Sequence, residues 1–316
     1  MSRIHEALRK AELDRSNQVV DATVELDSRV AAPASEQEAV PASATDGLRK
    51  HHVSTVTSDG PLSIEELQAR CARPQWHPDP NLNVFSNPIL SVNAAEQFRT
   101  LRSRLYQLRN NQPLQTLLVT SAAQGDGKTS VTNNLAQAIV RQPDRHVLMI
   151  DGDLRASRLH VPLGAPRTPG LSDYLRGDID EMTAIQHGQE GGLFFIPSGN
   201  AITNPSELLA NGRLRVLLDR VATAFDWVIF DSPPCVPVAD ASVIADVCDG
   251  VLLVVRAGRT ASPSAQRASQ ELRGKNVVGV VLNTVEKDAF GYGSYYGSGY
   301  GGNDHAPNSN KLNMMQ

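Results

Sequence analysis

The chain has 316 residues, enough for about two domains, and its 30 Lys and Arg against 34 Asp and Glu give a formal net charge of −4. This balance argues against nucleic acid as a partner, because binding to phosphate backbones favours a basic surface. Three widely separated cysteines with no Cys-x-x-Cys pair argue against a zinc cluster or a disulfide framework and favour a reducing compartment.

The first 83 residues are predicted to contain one short helix and a long linker. Apolar residues recur at helical spacing among basic ones in residues 1–15, so an amphipathic helix is expected, which either docks on a partner or is simply solvated. Residues 16–83 have no aromatic residue before Trp76 and are rich in Ala, Pro, Ser and Glu. Such a composition buries too little apolar surface to offset the entropy of ordering, so we predict a disordered N-terminal arm.

From residue 84 to 288, short apolar runs alternate with helical patterns. The predicted strands, in chain order, are Leu114–Ser121, His146–Asp151, Leu193–Pro197, Trp227–Asp231, Gly250–Val255 and Val277–Leu282. The predicted helices are Ala94–Arg109, Lys128–Arg141, Pro205–Ala224, Asp240–Cys248 and Ser262–Arg273. Strands that are apolar throughout must be covered on both sides. The sequence therefore predicts an α/β fold with a mostly parallel sheet and helices on both faces.

A glycine-rich segment joins the first predicted strand to the helix that begins at Lys128. Residues 121–130 read SAAQGDGKTS, which fits a phosphate-binding loop except that Ala122 stands at the first glycine position. Backbone N–H groups of such a loop cradle an oligophosphate, the lysine neutralises the β/γ charge, and the next hydroxyl binds Mg2+. The residues predicted to bind the nucleotide in this segment are Gln124, Gly125, Asp126, Gly127, Lys128, Thr129 and Ser130.

Three aspartates lie at the carboxyl ends of predicted strands, where ligands bind in open α/β sheets. Asp151 ends the second strand, with Asp153 two residues further on, and Asp231 ends the fourth. An apolar strand that closes on a carboxylate is the arrangement that holds Mg2+ opposite a P-loop. Strand-terminal aspartates also cap helices, but their order after the P-loop favours catalysis by Lys128, Asp151, Asp153 and Asp231.

Together these motifs resemble the bacterial tyrosine kinases, or BY-kinases, the family of capsular and exopolysaccharide tyrosine autokinases. The resemblance covers about residues 85–300 and includes, besides the P-loop, the segments DGDLR at 151–155, DSPP at 231–234, GLSDYL at 170–175, NPSELL at 204–209, DGVLLVVRAG at 249–258 and GVVLN at 279–283. It implies the MinD-like branch of the P-loop NTPases. The implied reaction is transfer of the γ-phosphoryl group of ATP to tyrosine.

The resemblance also implies roles for single residues. Thr129, Asp151 and Asp231 would act around Mg2+, and Asp153 would be the base that accepts the tyrosine proton. Spacing alone leaves the division of roles between Asp151 and Asp153 open. Asn283 lies where related NTPases contact adenine, and a structural turn there is the alternative.

Four of the six tyrosines fall within the Gly- and Ser-rich stretch that is expected to be a flexible tail over 289–316. The family resemblance implies that these four are phosphoacceptors: Tyr292, Tyr295, Tyr296 and Tyr300. A low-complexity tail without this role would have a similar composition.

A further motif lies on the helix before the P-loop. Glu96, Arg99 and Arg102 form Glu-x-x-Arg-x-x-Arg on a face separate from the apolar one. In the family this motif is associated with assembly into a ring, by resemblance an octamer. The alternative is an i, i+3 ion pair that contributes only a few tenths of a kcal/mol.

The longest apolar runs are far shorter than the roughly 20 residues that cross a bilayer. The resemblance therefore implies a stand-alone cytoplasmic form, held at the inner face of the membrane by a polysaccharide co-polymerase that activates it. It also implies a cognate tyrosine phosphatase that removes the phosphates. The alternative function is an ATPase switch like those of cell division and plasmid partition. Those proteins usually carry a second lysine early in the P-loop, where this chain has Ala123.

Overall fold

The computed structural model describes residues 60–87, 91–189 and 191–285. The helix expected over 1–15 and the tail expected over 289–316 lie outside the described residues. The strands are β1 Thr116–Ser121, β2 Val147–Asp151, β3 Gln186–His187, β4 Leu193–Ile196, β5 Trp227–Asp231, β6 Gly250–Arg256 and β7 Val277–Asn283. The α-helices are α1 Ile64–Arg70, α2 Ser91–Arg109, α3 Lys128–Val140, α4 His160–Leu163, α5 Leu171–Arg176, α6 Glu181–Ala184, α7 Pro205–Leu209, α8 Arg213–Val221, α9 Asp240–Ala245 and α10 Ser262–Glu271.

The strands form one sheet in the order β3-β4-β2-β5-β1-β6-β7. All neighbouring pairs are parallel except the short β3, which runs antiparallel to β4. The predicted α/β fold with a mostly parallel sheet is confirmed, and the six expected strands are present. The two-residue β3 is an addition, because so short a strand has no hydrophobic period of its own to reveal it.

Apolar side chains of the central strands point alternately into two cores on opposite faces of the sheet. On one face, Leu117 and Val119 of β1 pack with Leu135 of α3 and Leu105 of α2. On the other, Leu118 packs in a cluster to which α8, α9 and α10 contribute, through Leu217, Ile244 and Ala268. Because β1 is buried along its whole length, the loop that follows it begins from a fixed position.

The register of the central strands brings the candidate site together. Asp151 at the end of β2 is the direct neighbour of Asp231 at the end of β5, and Val119 of β1 also pairs with Asp231. The P-loop leaves β1 two residues beyond that pair. The sheet therefore delivers the loop and both carboxylates to one edge, as the parallel arrangement predicts.

The expected disorder over 16–83 is wrong for residues 60–83, where the chain is folded onto the domain. Helix α1 starts after Ser63, whose hydroxyl accepts a hydrogen bond of 3.1 Å from the N–H of Glu66. Leu62, Leu67 and Trp76 are buried in the two cores. The average composition of the long range concealed this stretch, in which a few large apolar residues are enough to bury the chain.

The same segment connects distant parts of the domain. The N–H of Leu62 donates to the carbonyl of Arg220, the carbonyl of Ala72 accepts from the N–H of His187, and the N–H of Asp79 donates to the carbonyl of Pro162. The N–H of Val84 then donates to Asn134 Oδ1 of α3 at 2.9 Å. Residues 62–84 therefore run from α8 past the β3 edge to the helix that carries the P-loop lysine.

Replacing Trp76 by Phe tests whether this segment is an integral part of the fold. Trp76 is 6% exposed, stacks edge-on against Phe195 and donates from Nε1 to Gln186 Oε1 at 3.2 Å. Loss of that hydrogen bond and of packing volume is expected to lower the free energy of unfolding by about 1–2 kcal/mol in urea titrations. Leu82→Ala, on a side chain that is 43% exposed, is the control and should change it by less than about 0.5 kcal/mol. If both substitutions changed the free energy of unfolding by less than about 0.5 kcal/mol, the segment would not be an integral part of the fold.

The helix predicted over Pro205–Ala224 is wrong as one continuous element. It is divided into α7 and α8, because Gly212 takes a left-handed conformation with φ +83° and breaks the hydrogen-bond ladder. The last three residues, Ala222–Ala224, form a 3-10 turn. Ser206, in the first turn of α7, contacts Arg155 of the loop after β2.

Candidate active site

Two glycines with left-handed backbones shape the P-loop. Gly125 has φ +86° and Gly127 φ +94°, and Gly127 stands directly before Lys128, the first residue of α3. A left-handed conformation suits glycine because it has no Cβ. The first backbone N–H groups of α3 have no partners within the helix, because they lie in its first turn. They are therefore available to phosphate oxygens.

The carboxylate of Asp126 faces into the protein and holds the loop in shape. Asp126 is 2% exposed, and its two oxygens accept hydrogen bonds from the N–H of Ala123 at 2.9 Å and from Thr260 Oγ1 at 2.6 Å. Its own carbonyl accepts from Asn283 Nδ2 at 2.9 Å. Arg256 donates to the carbonyl of Gly125 at 3.3 Å. The P-loop is thus held from one side by the end of β6, the turn after it and the end of β7.

Lys128 lies between two of the predicted aspartates. Its Nζ is 3.1 Å from Asp153 Oδ2 and 3.9 Å from Asp231 Oδ1. Burial lowers the pKa of the ammonium, but the charges of Asp231 and Asp153 outweigh that effect and raise the pKa above its ordinary value. Lys128 is therefore a firmly charged group at the N-terminus of α3, where it can neutralise phosphate.

Thr129 and Asp231 offer the donor set expected around Mg2+. Thr129 Oγ1 donates to Asp231 Oδ2 at 2.6 Å, whereas the buried Asp231 Oδ1 accepts no hydrogen bond from the protein. A buried carboxylate oxygen that accepts no hydrogen bond, with the Lys128 ammonium 3.9 Å away, fits a place for a cation or its water shell. In the described part of the chain no three Asp, Glu, His or Cys side chains form a complete cage, so phosphate and water would supply most ligands of a cation.

Asp151 is fully buried, and its carboxylate is held by its own loop. Oδ2 accepts from Ser157 Oγ at 2.7 Å and from the N–H of Leu159 at 3.1 Å, and Oδ1 accepts from the N–H of Asp153 at 3.2 Å. Burial, reinforced by the charge of Asp231, raises the pKa of Asp151. Asp153 lies on the site side, since its Oδ2 faces Lys128. The geometry thus favours Asp153 over Asp151 as the group that meets the acceptor.

The remaining predicted nucleotide residues lie at the rim of the loop. Gln124, Gly125 and Ser130 are exposed to solvent. Asn283, at the end of β7, lies against Gly127 and bonds to the loop carbonyl of Asp126. It is thus beside the P-loop, and its contact with adenine stays a prediction.

The structure adds residues that the sequence analysis missed. Ser157 positions Asp151, Thr260 and Arg256 support the P-loop, and Asp240 receives Arg155 from the loop after β2. Arg256 lies in the segment DGVLLVVRAG, which does not indicate this contact, and the other three residues belong to none of the motifs given above. Their partners are as far as 134 positions away in the chain, so only the folded topology reveals them.

The assembly motif on α2 has contacts within its own chain. Glu96 and Arg99 form an exposed ion pair of 3.0 Å, and the Arg99 guanidinium lies 5.8 Å from the centre of the Phe85 ring. Arg102 donates to the carbonyl of Ala138 on α3 at 2.5 Å. The apolar face of this helix packs against the core through Phe98, Leu101 and Leu105, and Ala95 is also buried. Assembly through the motif stays a prediction.

No protein-family model matches the chain. It is 32% identical over 206 residues to tyrosine-protein kinase YwqD of Bacillus subtilis, a match that covers 65% of this chain and 86% of YwqD. The chain belongs to the bacterial tyrosine-protein kinases. It is 37% identical over 223 residues to tyrosine-protein kinase etk of Escherichia coli, but that match covers only 31% of the longer relative.

Solved structures agree with this assignment. The kinase domain of the Escherichia coli tyrosine kinase ETK superposes with a TM-score of 0.60 and 36% identity, covering 76% of this chain and 93% of the domain. The chimerical protein CapA2B2 gives a TM-score of 0.60 with 25% identity, covering 71% of this chain and all of that one. Among the described residues of this kinase, every helix is too short or too polar to cross a membrane.

Proposed function

We propose that this kinase transfers the γ-phosphoryl group of ATP to tyrosines of its own C-terminal segment, chiefly on a neighbouring copy. The observation that carries the proposal is Lys128 at the start of α3, between Asp153 and Asp231. One cation, two carboxylates and a row of free N–H groups suit a polyphosphate and an incoming hydroxyl. Membership of the tyrosine-kinase family makes that hydroxyl a tyrosine.

In the proposed reaction, the tyrosine oxygen forms a bond to the γ-phosphorus while the bond from that phosphorus to the β–γ bridging oxygen breaks. ADP leaves with the bridging oxygen, and the phenolic proton passes to Asp153. Lys128 and the N–H groups of Gly127 to Thr129 hold the phosphates and counter the charge on the leaving oxygen. Catalysis is then mostly positioning and charge stabilisation.

We propose Mg2+ as the metal partner of ATP, held by Thr129 and, directly or through water, by Asp231. Bound there, it would neutralise the β- and γ-phosphate oxygens. Asp231 Oδ1, which accepts no hydrogen bond and has the Lys128 ammonium 3.9 Å away, supports this assignment. The full hydrogen-bond set of Asp151 leaves that residue a supporting role beside the metal.

For the biological role, we propose control of exopolysaccharide or capsule polymerisation and export, together with a membrane co-polymerase as activator and a tyrosine phosphatase as antagonist. Each phosphate adds about 1.5–2 negative charges, so phosphorylation of four neighbouring tyrosines would load one short segment with about six to eight charges. Such a load would weaken a ring of packed copies by repulsion. The size of the assembly before and after phosphorylation measures this effect.

The test begins with the full chain, treated with a tyrosine phosphatase that is then removed, and follows intact mass after ATP and Mg2+ are added. We expect gains of one to four phosphates, and none when Tyr292, Tyr295, Tyr296 and Tyr300 are all Phe. Tyr106→Phe is the matched control and should keep the gains, because the Tyr106 hydroxyl is buried without a hydrogen-bond partner. An unchanged wild-type mass while ATP is hydrolysed would instead favour the ATPase switch.

Mixing two variants tests transfer between copies. A chain that ends at Phe290 supplies an intact site without acceptors, and Lys128→Met supplies the acceptors without a working site. Phosphate should appear on the longer chain, which is distinguished by its mass. Its absence from this mixture, with normal wild-type gains, would show that transfer occurs within one copy.

A further inference from the structure

The loop after β2 carries Asp153, but regular secondary structure does not fix its shape. Residues 152–158 form neither helix nor strand. Asp153 Oδ1 accepts from the N–H of Ala156 within the loop at 2.9 Å, and the N–H of Gly152 donates to the carbonyl of Asp231 on β5 at 2.8 Å. These bonds set its local turn. They tie the first residue of the loop to β5 but do not themselves connect residues 154–156 to another element.

Arg155 supplies a side-chain anchor from this loop to distant elements. Its Nε donates to Asp240 Oδ2 at 2.8 Å, and one terminal nitrogen donates to Asp240 Oδ1 at 3.0 Å and to Ser206 Oγ at 2.9 Å. Ser206 in turn donates to Asp240 Oδ1. The forked pairing uses the planar guanidinium in a way that a lysine cannot reproduce.

Burial of Asp240 makes this pairing costly to break. The Asp240 side chain is fully buried, whereas that of Arg155 is 39% exposed. Burial alone would raise the pKa of Asp240, but the hydrogen bonds from Arg155 and Ser206 hold it below its ordinary value. A buried carboxylate with this partner is costly to leave unpaired, so the contact is expected to persist.

The anchor joins three segments around the reacting groups. Asp240 opens α9, nine residues after Asp231, and Ser206 lies in α7, beyond β4. Arg155 is two residues from Asp153, whose carboxylate meets Lys128. Movement of Arg155 would therefore displace Asp153 relative to both Lys128 and Asp231.

We propose that Arg155, clamped by Asp240 and Ser206, is a positioning residue that holds Asp153 in place for phosphoryl transfer. This inference rests on the function proposed above. Displacement of a catalytic group by about 1 Å can cost about 100-fold in rate. The clamp thus acts on the turnover step more than on the binding of ATP.

Steady-state phosphorylation of the tail tests the proposal. Arg155→Ala should lower kcat by about 10- to 100-fold and leave KM for ATP within about 3-fold, because the P-loop contacts stay intact. Arg155→Lys should recover part of the loss, since one charged donor can still reach Asp240. Ser206→Ala removes one arm of the clamp and should lower kcat by about 2- to 5-fold.

Arg176 provides a matched control. Its side chain is 37% exposed and pairs at 2.6 Å with Asp173, which is 4% exposed, so the loss of buried pairing is similar to that at Arg155. Arg176→Ala should leave kcat within about 2-fold. If Arg155→Ala changes kcat no more than Arg176→Ala does, or changes KM alone, Arg155 is a structural residue and the proposal is wrong. If Arg155→Ala does not fold, unchanged kcat in both Ser206→Ala and Arg155→Lys would equally show that the proposal is wrong.

Hydrogen exchange separates this proposal from the proposed function. In Ser206→Ala and Arg155→Lys, the amides of Gly152, Asp153 and Ala156 should exchange about 10-fold faster, while those of α5 stay unchanged; Arg176→Ala should give the opposite pattern. If the wild type transfers no phosphate, the proposed function fails while exchange still decides whether Arg155 holds the loop. Unchanged exchange in 152–156 would overturn the clamp even in an active kinase.

Discussion

Replacing Lys128 by Met is expected to lower the initial rate of tail phosphorylation by about 10²- to 10³-fold. Lys128 is the cation that faces both Asp153 and Asp231 at the start of α3. Removing one preorganised charge or donor that meets developing negative charge typically costs that much. Intact mass, sampled over the first tenth of the reaction, measures the rate.

Two further variants separate loss of chemistry from loss of structure. Lys275→Met removes a lysine that pairs with Asp246, whose side chain is 66% exposed, and should leave the rate within about 2-fold. Lys128→Met leaves two carboxylates without their cation, so it is also expected to lower stability. Lys128→Arg keeps the positive charge and the fold but displaces it, and should still lose about 10-fold or more. A folded Lys128→Met with the wild-type rate would refute the role of Lys128.

Local sequence predicts the parts of the site that local chemistry determines. A P-loop is read from a strand, a glycine turn and a helix that follow one another, and Gly127 and Lys128 indeed form the junction between loop and α3. The carboxylates after β2 and β5 are predictable because parallel strands end at one edge, and the Asp151–Asp231 register agrees. These features need no information from distant residues.

The rest depends on contacts that no local pattern contains. Arg155 and Asp240 are 85 positions apart, and Thr260 lies 134 positions from Asp126. Arg155 belongs to the DGDLR motif at 151–155, but nothing in that motif indicates that its partner is Asp240. The prediction for residues 60–83 is wrong for the opposite reason, since their average polarity conceals Leu67 and Trp76, which are buried by tertiary packing.

Gly127→Ala is expected to lower the free energy of unfolding by about 1.5–3.5 kcal/mol. The residue has φ +94°, where a side chain costs about 1–2 kcal/mol. A Cβ would also lie 2.1 Å from Asn283 Nδ2, so Asn283 would have to move and release the carbonyl of Asp126. Loss of that hydrogen bond adds about 0.5–1.5 kcal/mol. Urea titrations at constant m-value measure the change.

Gly125 and Asn283 separate the two causes. Gly125 has φ +86°, but a Cβ there meets no protein atom within 4 Å, so Gly125→Ala carries only the backbone cost of about 1–2 kcal/mol. In Gly127→Ala with Asn283→Ala, the clash is absent, and the loss relative to Asn283→Ala alone should fall to the Gly125→Ala value. Equal losses in Gly127→Ala and Gly125→Ala would instead show that Asn283 yields without cost. The predicted cost of the contact between residue 127 and the Asn283 side-chain amide would then be wrong.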